Sequence, residues 1–239
     1  MPRSQFEEHW RRRFTERGQA LDHDAGIAGW SESGLQTRIR AFKRHWTGAP
    51  AGSRWIDIGC GAGSYSRMLA DEGLEVIGVD YSQPSVAKAA QRSPTVGGWV
   101  VGDVTRLPLA PQSAEGILCF GVLQALSSSD QALAEMAAAI KPGGTLWVDA
   151  LNAHCAPHLL KKLLRRPANL RYETADALRR QLEQTGFAVE THWVPIAPGR
   201  LQSLQPLLES APLRAMLKLI PPLGALLSHS VLIVARKTA

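Results

Sequence analysis

What this chain lacks narrows its reading before any motif is found. It has no apolar run near the roughly 18 residues that a membrane-spanning helix needs. Its opening, MPRSQFEEHWRRRF, is too charged for the apolar middle of a signal peptide, so the expected location is the cytoplasm. Cysteine is scarce: Cys60, Cys119 and Cys155 are odd in number and lack the short paired spacing of a zinc site or redox dithiol. They are expected to be free thiols. The seven histidines are scattered, and no cluster with metal-ligand spacing can be assembled. What remains is 45% apolar over 239 residues, enough for one well-buried α/β domain. The net charge of +6 suits nucleic acid, an anionic membrane surface or an acidic metabolite, and does not choose among them.

Strand-like and helix-like segments alternate over about 54–150, the pattern of a parallel sheet with crossover helices. RWIDIG predicts a first strand, SYSRMLADEG a helix stopped at Gly73, and EVIGVD a second strand. SQPSVAKAAQR follows as a helix with Pro84 in its first turn. GWVVGD, EGILCF and GTLWVDA are further strands, the last entered through the turn KPGG, with a helix over SSDQALAEMAAAI before it. ETADALRRQLEQTGF, AVETHWVPI and HSVLIVARK complete the pattern as helix, strand and strand, seven strands in all. Ahead of this core, Phe6, Trp10 and Phe14 form one helical stripe and Leu35, Ile39, Phe42 and Trp46 another, with Arg and Lys opposite. The glycine-rich LDHDAGIAGWSESG between them reads as a loop able to gate a pocket through His23 and Trp30. The expected division is an N-terminal helical cap at 1–50 and a main domain at 51–239, with inserts at about 151–172 and 196–229.

The chemistry concentrates where the first strand ends. Gly59, Gly61 and Gly63 let the backbone turn sharply and bring amides against a ligand. A dinucleotide fingerprint would place its third small residue at position 64, where Ser64 stands. Asp57 just before the turn repels phosphate and suits an ammonium group. Asp80 ends the next strand at the spacing, about 20 residues, of a carboxylate that holds ribose hydroxyls. The expected ligand carries a ribose and a cation, without phosphate.

WIDIGCGAGSYS, VIGVDYS, GDVTRLPL and IKPGGTLWV together resemble the successive motifs of class I S-adenosylmethionine-dependent methyltransferases, over roughly residues 52–195. The resemblance implies a Rossmann-like seven-stranded sheet of order 3-2-1-4-5-7-6 with strand 7 antiparallel. It implies that Asp57 meets the methionine amino group, that the turn Gly59, Gly61 and Gly63 passes under the cofactor, and that Asp80 holds the ribose. Tyr81 would lie beside the adenine, Asp103 and Val104 at its edge, and Phe120 and Gly121 near the sulfonium. S-adenosylhomocysteine would be the product.

The end of strand four, CFGVLQAL, has none of the Asn/Asp-Pro-Pro-aromatic pattern of nucleobase and glutamine amino-methyltransferases. It is similar to the quinone and small-molecule branch, with Gln124 in place of a histidine. The expected reaction is therefore O- or C-methylation of a small-molecule or lipid-linked acceptor. An RNA methyltransferase, with Arg11, Arg12 and Arg13 as its support, and a non-catalytic cofactor-binding subunit are the alternatives. A hydroxyl acceptor needs a base, and His154, past strand five with Asp149 and His158 nearby, is the candidate. In the first insert, HLLKKLLRRP sets leucines against Lys161, Lys162, Arg165 and Arg166 on a short amphipathic helix. In the second, PLRAMLKLIPPLGALL gives another apolar face. Two expectations stand: that the domain or a second subunit of a homodimer covers these faces, or that they form a lid at a membrane surface.

Overall fold

The computed structural model describes residues 4–238; residues 1–3 of the cap and Ala239 lie outside the described residues. Ser4 opens α1 (Gln5–Ala20) by accepting a hydrogen bond from the Glu7 amide. The segment expected as a plain loop contains a helix, α2 (Asp24–Ala28), before α3 (Glu32–His45). Its physical reason lies at both ends. Asp24 is held by Ser64 and by an ion pair with Arg67, and Gly29 closes the helix in the left-handed conformation.

The core then runs β1 (Arg54–Ile58), α4 (Ser64–Asp71), β2 (Glu75–Asp80), α5 (Gln83–Arg92), β3 (Gly98–Val101), β4 (Ala114–Cys119), α6 (Asp130–Ala139) and β5 (Ile140–Leu151). After it come α7 (Ala156–Leu163), α8 (Ala175–Gln184), β6 (Phe187–Val194), α9 (Gln205–Leu208), α10 (Ala211–Leu219), α11 (Pro221–Leu227) and β7 (Ser230–Lys237). Among the described residues the strands form one sheet of order β3-β2-β1-β4-β5-β7-β6, parallel except for β7. This is the order and strand direction the motifs implied. One boundary differs: β5 begins at Ile140, so the KPGG stretch lies inside the strand rather than before it. A register shift between Ala114 and Gly116 absorbs the extra residues as a bulge, pinned by an ion pair of Lys141 with Glu115.

Strand alternation gives the sheet two apolar faces. Ile56, Ile117, Leu146 and Ile233 pack under α6 and α8, through Leu133, Met136, Leu178 and Leu182. Their neighbours Trp55, Leu118, Trp147 and Leu232 face Leu35 and Phe42 of α3 and Tyr65 and Leu69 of α4. Every parallel strand therefore ends at one edge, where the loops must carry any ligand site. Both inserts leave from that edge, since Leu151, Ser230 and Val194 are register partners. The first insert helix stops at Leu163, short of the expected Pro167, because Arg165 takes a positive φ of 50°. In the second, Pro212 lies in the first turn of α10 and Pro221 follows its end, as proline's geometry leads one to expect, and Pro221 also opens a further helix, α11.

Candidate active site

A cleft opens at the ends of β1, β2 and β4, roofed by Trp10, Arg11 and Phe14 of α1 and by Ile27 of α2 with Trp30 beyond it. Asp57, Gly59, Gly61, Asp80, Tyr81, Asp103, Val104 and Phe120 all line it. Residues spread over more than sixty positions thus meet in one place because each closes a neighbouring strand. Gly63 is the exception and does not line the cleft. It caps α4 at φ +84°, and a Cβ there would sit 2.5 Å from the Trp99 ring, so this glycine serves packing. At Gly61, by contrast, φ is +52° and an added Cβ would meet nothing closer than Ile27 at 3.8 Å. Its bare backbone faces open space in the cleft.

Two carboxylates flank this turn. Asp57 is 2% exposed and accepts a 2.6 Å hydrogen bond from Ser66 Oγ. Burial, only partly offset by that bond, raises its pKa to about 6. A carboxylate so desolvated, with the Ser66 hydroxyl and amide as the chief offsets to its burial, is a site that a cation would complete. Asp80 is half-buried and accepts from the Gly61 amide at 2.9 Å and the Ser82 amide at 2.8 Å. Burial raises its pKa as well, and each oxygen keeps acceptor capacity for hydroxyl donors. Tyr65 is 6% exposed, lines the cleft, and its hydroxyl has no partner among the described residues. These are the fittings an amino acid joined to a ribose requires: an anion for the amine, a hydroxyl for the carboxylate, and an anion for the sugar.

At the far end Arg11 sits 4.9 Å above the Tyr81 ring and donates to Asp103 at 2.7 Å, while Thr105 donates to the other Asp103 oxygen. Arg11 therefore belongs to the cleft. The opposite end, beside Phe120 and Gly121, is apolar, with Ile27, Trp30, Leu35, Val122 and Leu126. Behind it Asp149 accepts from the Gly121 amide at 2.6 Å and pairs with Arg38 at 3.2 Å, both side chains being buried. The Arg38 guanidinium lies 4.4 Å from the Trp30 ring centre. This ion pair fixes Gly121 and Trp30, and burial raises the pKa of Asp149.

His154 is not brought to this cleft. It is exposed and lines a second cavity of about 760 Å³, with Arg44, Arg214 and the stacked pair His45 and His192. His158 stacks on Tyr172 instead, and Gln124 is buried in the turn after β4. The roles of Arg11 and Arg38 are not legible in the sequence, because their partners Asp103 and Asp149 are 92 and 111 residues away.

Residues 56–148 match the family described as a methyltransferase domain. The chain is 38% identical over 101 residues to the demethylmenaquinone methyltransferase of Beutenbergia cavernae, covering 42% of each chain. It is 30% identical over 150 residues to the malonyl-[acyl-carrier protein] O-methyltransferase of Enterobacter lignolyticus, covering 61% of this chain and 59% of that one. The matched segments span less than two thirds of these relatives. Among solved structures it resembles magnesium protoporphyrin IX methyltransferase from Synechocystis PCC 6803 with bound S-adenosylhomocysteine. The TM-score is 0.62 at 16% identity, over 98% of this chain and all of that one.

Proposed function

We propose that the chain is a class I S-adenosylmethionine-dependent methyltransferase that transfers the cofactor's methyl group to oxygen or carbon of a small-molecule or lipid-linked acceptor, a reading supported by the methyltransferase-domain match over residues 56–148. The observation that carries this reading is the pair Asp57 and Asp80 on either side of the glycine turn, in a cleft whose other end is apolar. Bound S-adenosylmethionine supplies an electrophilic methyl on a good leaving group. The protein's part is placement: Asp57 takes the amine, the unpartnered Tyr65 hydroxyl the carboxylate, Asp80 the ribose hydroxyls, and Tyr81 with Val104 and Asp103 the adenine. Phe120 and Trp30 offer ring faces to the positive sulfur and keep water from it. Arg38 and Asp149 hold Gly121 and Trp30 still behind the reacting end. Aligning acceptor and methyl in a dry pocket supplies most of the acceleration such a transfer needs.

The apolar wall around Phe120 supports an acceptor with hydrocarbon or aromatic character, in keeping with relatives that methylate a demethylmenaquinone or an acyl-carrier-bound malonyl group. The test is incubation of the protein with methyl-labelled cofactor and, separately, demethylated naphthoquinones, polyprenyl phenols, a malonyl-carrier protein and total RNA. Label in one of the first three is expected. Label in RNA alone would overturn the acceptor class.

A further inference from the structure

Apolar exposure on this protein is concentrated in one region. Among the described residues every large exposed apolar side chain except Val101 lies in the two inserts, between Leu159 and Leu227. On α7 no residue is buried, and Leu159, Leu160, Leu163 and Leu164 are all exposed, Leu163 to 79%. At helical spacing these four share one side, and among the described residues nothing covers it. The second insert adds Leu204, Leu207, Leu219 and Leu227, with Leu219 81% exposed. A surface of this kind is unusual on a folded domain and marks a contact.

The charge beside it is of one sign. Lys161, Lys162, Arg165 and Arg166 are exposed next to the α7 leucines, and no acidic residue stands between Asp149 and Glu173. From Thr191 onward Glu209 is the sole acid in the sequence, and it is engaged by Arg40 at 2.8 Å. The inserts are joined to each other, since the Asn152 amide donates to the Ala225 and Ser228 carbonyls. Both rise from the edge of the sheet that carries the cofactor cleft.

We infer that the two inserts form a docking face for an anionic lipid bilayer, which holds the cleft against the membrane surface. Leucines enter the boundary between headgroups and acyl chains while Lys161 and Lys162 of α7 and Arg165 and Arg166 just after it meet anionic headgroups. Charge selects this occupant over a second copy of the chain. Two copies of this segment face to face would bring eight cations together, and residues 150–172 contain no carboxylate to answer them. The face does not depend on which acceptor enters the cleft.

The test is co-sedimentation of the full chain with vesicles of equal parts phosphatidylcholine and phosphatidylglycerol, against vesicles of phosphatidylcholine alone. Binding is expected to the first, weakened by salt that shortens the range of surface charge. Changing Lys161, Lys162, Arg165 and Arg166 together to Gln is expected to weaken it by roughly a hundredfold or more. The pair Leu160→Ser and Leu163→Ser, exposed and therefore harmless to the fold, is expected to weaken it as well. Thermal melts check both variants, and calorimetry with S-adenosylhomocysteine reports the cofactor site separately. Equal pelleting with both vesicle types, or none with either, would overturn the inference. So would a dimer in sedimentation velocity that the leucine variant converts to monomer while vesicle binding stays unchanged.

Discussion

Replacing Asp57 by Asn should move stability and ligand affinity in opposite directions. Burial disfavours the charge of this carboxyl and pushes its pKa up to about 6 from the ordinary 3.8. A folded pKa above the unfolded value means that the native state binds its proton more tightly. Ionised Asp57 therefore costs stability above about pH 6, the cost fades as pH falls from 6 toward 4, and below that range it is gone. Two pKa units correspond to roughly 3 kcal/mol at neutral pH. Asn keeps an acceptor oxygen for Ser66 Oγ but brings an amide whose donors go unmet, which returns about 1–2 kcal/mol. The net expectation at pH 7 is a variant more stable by about 1–2 kcal/mol, seen as a melting temperature roughly 3–6 °C higher. The same change removes a charge-assisted contact to the cofactor amine and should weaken S-adenosylmethionine binding about ten- to a hundredfold. Wild-type affinity should likewise fall as pH drops through 6, since protonated Asp57 cannot pair with an ammonium. Calorimetric titrations and thermal melts across pH 5 to 8 read all three. A variant that melts lower and binds undiminished would show that Asp57 is a structural carboxylate and refute the argument.

Asp80→Ala should also weaken cofactor binding about ten- to a hundredfold, by calorimetry, since it loses the ribose acceptor; unchanged affinity would remove Asp80 from the site. Gly63→Ala should destabilise by roughly 2–4 kcal/mol in denaturant melts, from its positive φ and the overlap with Trp99. A variant of wild-type stability would show that the turn relaxes freely. His154→Ala should leave cofactor affinity and turnover within about threefold of wild type, because the side chain lies on the second cavity. A loss of about 10²- to 10⁴-fold in turnover would instead establish it as the base.

The sheet and the glycine turn were legible because their signals are local: strand alternation, a positive-φ glycine, a carboxylate at a fixed offset from a turn. The strand order came from the motifs that these elements carry together. Legibility ended where a contact joins remote parts of the chain. Arg11 and Asp103 lie 92 residues apart, and Arg38 and Asp149 lie 111 apart. Nothing in the helical period of α1 or α3 marks which arginine turns inward. Gly63 was read as part of the ligand turn, whereas the neighbour that demands glycine there is Trp99 from β3. His154 follows β5 at the right edge of the sheet, but the Asn152 side chain accepts from its amide and the loop carries it toward α8. The helix α2 is not legible because it is only five residues long and is fixed by Ser64 and Arg67 from another element.

The most direct test of the central claim is a crystal structure of the protein with S-adenosylhomocysteine. The expected position puts the amine on Asp57, the ribose hydroxyls on Asp80, the adenine beside Tyr81 and Val104, and the sulfur against Phe120 and Gly121. A ligand bound elsewhere, or lying in this cleft with neither carboxylate in contact, would contradict it.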